Sequence, residues 1–143
     1  LEDKTITILT NNMVDNTNVM AVSGYRRYRE PMARRVELRE YQGDMTIHAK
    51  TMTFDEDISM IGSFNLDPRS TTLSTESCII IVSEEFQDTL HAIIDTYLDD
   101  SLEVNEEGEY VEAEDISPAV MPTGRKWLLR VLSALTYFFD PML

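Results

Sequence analysis

The stretch IHAKTMTFDEDISMIGSFNLDPRSTTLSTE, residues 47–76, holds the densest set of reactive side chains in this chain. His48, Lys50, Asp55, Gly62, Ser63 and Asn65 follow the spacing H-x-K-x4-D-x6-G-S-x-N, and Glu76 comes eleven residues after Asn65. In a strand, His48 and Lys50 are two apart and project from one face. An imidazole beside an ammonium is a poor metal site but a good anion site, because the lysine is cationic and neutral imidazole can act as nucleophile or base. Gly62 lets backbone approach closely, and Ser63 and Asn65 add short polar donors. One nucleophilic nitrogen, one fixed positive charge and several neutral donors form a set suited to binding and attacking a phosphodiester.

Working outward, Ile47–Phe54 and Ser59–Gly62 read as strands joined at Asp55-Glu56-Asp57, and Asp67-Pro68-Arg69-Ser70 suits a helical turn with Pro near its first position. Arg69 is placed either to reach substrate or to pair with Asp67. Cys78–Val82 (CIIIV) is a continuous apolar run, expected as a strand buried on both faces with Cys78 a small core residue. Phe86, Leu90, Ile93, Ile94 and Tyr97 recur at helical spacing from Ser83 to about Asp100, with His91 at the surface or in a groove. Upstream, Thr5–Thr10 reads as a strand broken by Asn11 and Asn12. Residues 17–35 read as a helix that Pro31 should kink or divide, and Val36–Tyr41 as another strand. Arg26, Arg27 and Arg29 read as a solvated helix face paired with acids, the alternative being a site for anionic headgroups. Downstream, 102–113 suggests a hairpin around Asn105-Glu106-Glu107-Gly108, followed by a connector over 116–124. Strands alternating with helices predict an α/β layered domain.

The 143 residues suit one domain or one lobe of something larger. With 12 Lys+Arg against 26 Asp+Glu, the formal charge is −14. It is unevenly spread: residues 1–75 hold nine Lys/Arg and eleven Asp/Glu, residues 76–143 three and fifteen. Such an acidic half reads as a solvated face and argues against broad nucleic-acid binding, which needs positive potential near phosphates. The single cysteine excludes a disulfide scaffold and a multi-cysteine zinc site. No apolar run reaches the ~18 residues of a membrane span, and no signal peptide is visible at the start. A chain beginning at Leu1 is expected to be a piece of a longer protein.

The His48–Asn65 spacing resembles the HKD motif of the phospholipase D superfamily, matched at His48, Lys50, Asp55, Gly62, Ser63 and Asn65. Glu76 stands where that family commonly places a carboxylate that orients the motif histidine. The wider stretch GSFNLDPRSTTLSTE, and ILTNNMVDNTNVMAVSGYRRYREPMARRVELREY before it, resemble the cardiolipin synthase branch, so the resemblance covers about residues 6–100 and, more weakly, the C-terminus. It implies an α/β phospholipase D-like lobe over 1–101, a mixed β-sheet flanked by helices, with a hairpin, connector and amphipathic helix over 102–143. The family carries two HKD motifs in two similar lobes. This chain has one, and the region between Tyr41 and His48 is shorter than that branch leads one to expect. The chain is therefore read as the second, C-terminal lobe.

By the family mechanism, one motif histidine attacks phosphorus and forms a phosphohistidine, and the other protonates the leaving alcohol and then activates the incoming one. The resemblance implies that His48 fills one of these roles, with acid/base favoured for a second motif. It also implies that Lys50 and Asn65 hold the non-bridging phosphate oxygens, Ser63 lines the site and Glu76 orients His48. Asp55 either takes part in the chemistry or orders the turn after its strand. No metal or cofactor is implied.

At the C-terminus, Trp127, Leu128, Val131, Leu132, Leu135, Phe138 and Phe139 are apolar, while Lys126, Arg130, Ser133 and Tyr137 form a polar stripe at helical spacing. A basic, Trp-bearing amphipathic helix over 125–139 is expected either to lie in a membrane interface or to pack on the missing lobe or a neighbouring chain. The resulting expectation is a phosphatidyltransferase of phospholipid metabolism, peripheral to the bacterial cytoplasmic membrane. Its partners would be a phospholipid substrate and an N-terminal lobe with the first motif, with no nucleic acid. The alternatives are a phospholipid hydrolase, a phosphodiesterase acting on nucleic acid, a homodimer that completes the site with its own copy, and an isolated lobe that serves only as an assembly half.

Overall fold

Alternating strands and helices build two three-stranded sheets in this protein. The computed structural model describes residues 5–14 and 18–135. In chain order the elements are β1 (Thr7–Asn11), α1 (Val19–Ala33), β2 (Glu37–Tyr41), β3 (Thr51–Phe54), β4 (Ile58–Gly62), α2 (Pro68–Thr72), β5 (Cys78–Val82), α3 (Glu84–Asp99), β6 (Ser101–Val104) and α4 (Thr123–Leu135). They sort into two compact units. Among the described residues, one takes in those up to Ile47 and 97–135, and the other is His48–Thr96. One mixed and one antiparallel sheet with flanking helices are of the expected α/β, phospholipase D-like class, although the strands form two sheets where one is expected.

The first unit has the strand order β1-β2-β6, with β1 parallel and β6 antiparallel to β2. Asn11 does not break β1 as its residue type suggests. It is the last strand residue, paired with Tyr41, and its side-chain amide donates to the Ile47 carbonyl at 2.8 Å and accepts from the Ile47 N–H at 2.7 Å. The register Leu38↔Val104 and Glu40↔Leu102 puts these four residues on one face, since side chains two apart share a face. All four are buried. A boundary after residue 101 falls at the start of β6, so residues 102–104 continue the sheet rather than begin an appendage.

Asn18 caps α1 by accepting from the Ala21 N–H. Pro31 neither kinks nor divides α1 at mid-length, because it lies in the last turn and the helix ends at Ala33. The arginine cluster is not a uniformly solvated face. Arg29 is buried, and its guanidinium donates to both Glu40 carboxylate oxygens, at 2.5 and 3.2 Å. Tyr25 and Tyr110 donate to the same carboxylate, and Arg29 also donates to the Gly108 carbonyl and lies 4.9 Å from the Tyr110 ring centre. This shields an ion pair within the core face. Arg27 donates to the Ser133 carbonyl at 2.6 Å and so ties α1 to α4.

The predicted turn forms, but its return arm is a single bridge rather than a second strand. Asn105 accepts from the N–H groups of Glu107 and Glu109, Gly108 takes a positive φ of 75°, and Val104 bridges Tyr110.

The second unit is an antiparallel meander, β3-β4-β5. Here the expectation for CIIIV is overturned. β5 is a strand, but it is an edge that pairs only with β4, and Ile79, Ile80 and Val82 are 64–68% exposed. Cys78 is also exposed rather than in a core. A continuous apolar run shows that both faces of a strand suit an apolar setting; it does not supply the layers that would cover them. Gln87 at the start of α3 is buried, donating to the Asp55 carbonyl at 2.8 Å and accepting from Ser59 Oγ at 3.4 Å. α3 is thereby anchored to the β3–β4 hairpin.

Candidate active site

Except for Asp55, the candidate site residues lie at one end of the second unit's sheet. The β3–β4 ladder begins at Thr51↔Ile61, so His48, Ala49 and Lys50 precede the strand rather than lie in it. Strand parity therefore does not fix a common face for His48 and Lys50. Instead, the Lys50 ammonium turns back and donates to the His48 carbonyl at 2.9 Å. The Gly62 N–H donates to the Lys50 carbonyl at 3.1 Å and carries the pairing one step past the ladder.

Gly62 is required by crowding. A Cβ there would lie 2.2 Å from the Ser77 carbonyl oxygen and 2.7 Å from Cys78 Cα. That close approach lets the Ser63 N–H donate to the Ser77 carbonyl at 2.9 Å, and the Ser77 N–H return a bond to Ser63 Oγ at 3.1 Å. The segment that carries Glu76 is thus stapled beside the Gly-Ser turn.

Glu76 is held by two hydroxyls. Ser63 Oγ donates to Oε2, and Ser70 Oγ donates to Oε1 at 2.9 Å. These bonds hold the carboxyl below its usual range, Ser63 contributing most and Ser70 next, with the nearby charges of Arg69 and Lys50 adding to the effect. Glu76 therefore stays ionised. The expected bond between Glu76 and a His48 ring nitrogen is not formed among the described residues, where the serines are its partners. A carboxylate offers about four acceptor positions, so two remain.

Ser70 was not legible as a site residue, yet it joins the cluster. It is buried, accepts from the Asn65 N–H and side-chain amide at 3.3 and 3.5 Å, and donates to Glu76. Asp67 caps α2 by accepting from the Ser70 N–H at 2.7 Å, and Pro68 opens the helix. That Asp-Pro start is the signal that places Ser70 at the third helical position. With its carboxylate on Ser70, Asp67 has a different partner from the Arg69 pairing considered, and Arg69 is exposed.

Asp55 does not join the cluster. It sits in the β3–β4 turn with a φ of +49°, a left-handed conformation that Asp tolerates. Four strand residues lie between it and Lys50, so about 17 Å of extended chain separates the two. Of the two readings of Asp55, the turn-ordering one fits this position. The concavity at that end is bounded by Asp55, Glu56, Asp57 and Glu84, whose like charges disfavour a phosphate. His91 lies on α3 away from the motif, half-exposed. Among the described residues no three His, Cys, Asp or Glu side chains are grouped to hold a metal ion. The gathered set is an ammonium, two serine hydroxyls, an amide and a carboxylate held ionised, with the exposed His48 next to Lys50 through its carbonyl.

Comparison with known proteins agrees with this chemistry. The family described as "Cardiolipin synthase, PLD-like domain" matches residues 2–98. Cardiolipin synthase C of Escherichia coli strain K12 is 37% identical over 108 residues, covering 63% of this chain and 22% of that protein. Cardiolipin synthase A of Klebsiella pneumoniae strain 342 is 28% identical over 121 residues, covering 81% of this chain and 21% of that protein. An uncharacterized protein of Helicobacter pylori strain 26695 is 28% identical over 95 residues, covering 57% of this chain and 19% of that protein. The chain spans about a fifth of the length of these curated relatives. The family match over residues 2–98, more than half of the chain, means that this chain belongs to the cardiolipin synthase phospholipase D-like domain family.

Proposed function

We propose that this chain is the second half of a phosphatidyltransferase of phospholipid metabolism that works through a phosphohistidine intermediate. The observation that carries the reading is the gathering of Lys50, Ser63, Asn65, Ser70 and Glu76 around the Gly62 turn next to His48. A phosphodiester brings negative charge to an ammonium and to neutral donors, which favours its binding there. In the proposed reaction a histidine nitrogen forms a bond to phosphorus as the bond to the leaving alcohol oxygen breaks. That nucleophilic histidine comes from a first lobe and faces His48 across the phosphate. The other histidine donates the proton to the leaving oxygen and later accepts one from the incoming hydroxyl, whose oxygen bonds phosphorus as the phosphorus–nitrogen bond breaks. His48 takes the acid/base role in this scheme. Lys50 and Asn65 hold the non-bridging oxygens, and Ser63 lines the site. Glu76, with two acceptor positions left, receives the His48 N–H and stabilises the imidazolium. The protein works peripherally at the bacterial cytoplasmic membrane.

The test is a lipid assay on this lobe combined with a first lobe, with cardiolipin and phosphatidic acid resolved by thin-layer chromatography. Cardiolipin as product supports transfer to a lipid hydroxyl, and phosphatidic acid alone indicates transfer to water. His48→Ala should abolish turnover. Glu76→Gln should lower the rate far more than it lowers stability, on the order of 10⁴ if it acts as the orienting carboxylate of a triad does. Wild-type turnover in either variant overturns the reading. The 143-residue chain alone should be inactive, and His48-dependent activity from it would instead indicate a self-sufficient homodimer.

A further inference from the structure

α4 seats one face on the protein and turns a different one outward. Leu129 and Ser133 are buried, and the Ser133 carbonyl is bound by Arg27 of α1. Ser133 is thus a packing residue rather than part of an exposed polar stripe. Tyr137, Phe138 and Phe139 lie outside the described residues. At 100° per residue, the outward arc runs from Lys126 and Arg130 to Trp127, Val131 and Leu128, all of them exposed. A strip of three large apolar side chains therefore borders a cationic edge. Trp127 is the single tryptophan of the chain and is 68% exposed.

Charge identifies what this strip meets. All three Lys/Arg of residues 76–143, Arg125, Lys126 and Arg130, fall within the first eight residues of α4, while the same region holds fifteen Asp/Glu. An acidic chain is repelled by anionic surfaces in general, but at physiological salt a charge acts over only about 8 Å. A local cationic edge then attracts, and the acidic remainder orients the molecule away. Among the described residues no helix is long and apolar enough to cross a membrane. An apolar strip with an aromatic ring at the water boundary and cations beside it suits a helix lying in a lipid interface.

We infer that α4 is a docking surface for anionic phospholipid bilayers, entering the headgroup region through Trp127, Leu128 and Val131 with Lys126 and Arg130 on the lipid phosphates. This does not depend on the transfer reading, because binding is measured without turnover.

The test uses the 143-residue chain with vesicles of phosphatidylcholine alone or mixed with phosphatidylglycerol. The emission of Trp127 should shift to the blue only with the anionic vesicles, and the shift should weaken as salt is raised. Lys126→Gln with Arg130→Gln should lower the partition coefficient roughly 25-fold, about fivefold for each cation near the surface. Leu128→Ser with Val131→Ser should abolish the shift while Trp127 remains as reporter. These positions are exposed, and far-UV circular dichroism confirms that each variant is folded. An unshifted Trp127 with anionic vesicles overturns the inference. So does a shift that appears with protein concentration in the absence of lipid, since a second copy would then cover the strip. Equal binding to neutral vesicles, unaffected by the loss of both cations, overturns it as well.

Discussion

Replacing Glu40 with alanine should destabilise the first unit severely. Glu40 is completely buried on the same sheet face as Leu38, Leu102 and Val104, and its two oxygens accept four hydrogen bonds from Arg29, Tyr25 and Tyr110. Summing four bonds to a charged group at about 1.5–3 kcal/mol each overstates the loss, because the variant also escapes the desolvation of the carboxylate. The term that persists is the buried Arg29 cation left without its partner, and breaking one side of a buried pair costs about 3–5 kcal/mol. That is a third or more of the stability of many domains. With a urea slope of about 2 kcal/mol per M, the midpoint should fall by about 2 M. The assay is equilibrium urea unfolding of the 143-residue chain, followed by far-UV circular dichroism. The decisive comparison replaces the network as a set: Tyr25→Phe, Arg29→Met, Glu40→Leu and Tyr110→Phe. With no polar group stranded, that set should cost less than Glu40→Ala alone. A single-variant loss below about 1 kcal/mol, or a set that costs more than the single change, refutes the reasoning.

Alkali should weaken the same network. Burial first, and then the Glu40 charge, raises the Tyr25 hydroxyl well above its ordinary 10.0, and Tyr110 is raised for the same reasons. Their contribution is intact below the unfolded value and is lost as pH rises through the folded one, so stability should fall from about pH 10 upward; Tyr25→Phe should flatten that slope in urea titrations. At acid pH the sign reverses for Glu76, whose folded value is depressed. Its contribution is present above its ordinary 4.5 and is lost as pH falls through the lowered value. Ser70→Ala removes one of the two hydroxyls that hold it, so carboxyl NMR should show the Glu76 titration moving up in pH; an unmoved titration would deny Ser70 its positioning role. Gly62→Ala should cost about 1–3 kcal/mol by overpacking against Ser77 and Cys78, and a neutral effect on the urea midpoint would contradict the crowding there.

The sequence by itself determined the class of the fold and the residue types offered for the site. The spacing from His48 to Asn65, with Glu76 beyond, names the side chains on which the proposed function rests. The capping of α2 by Asp67 and Pro68, the spacing along α3 and the Asn105–Gly108 turn are local features, governed by residues a few positions apart. What only the tertiary structure decided involves partners far apart in the chain. Glu40 shares its side of β2 with Leu38, so its parity alone places a carboxylate in a core. It is tolerable there because Arg29 and Tyr25 on α1, and Tyr110 seventy residues later, converge on it. Asn11 reads as a strand breaker, yet its amide closes on the backbone of Ile47. Glu76 reads as a partner for His48, yet Ser63 and Ser70 reach it. The apolar letters of CIIIV require cover but do not provide it, and β5 stands at an edge. Periodicity reports which face of an element is apolar. Which neighbour meets that face is set by long-range packing, and the order of letters along one strand or helix does not contain it.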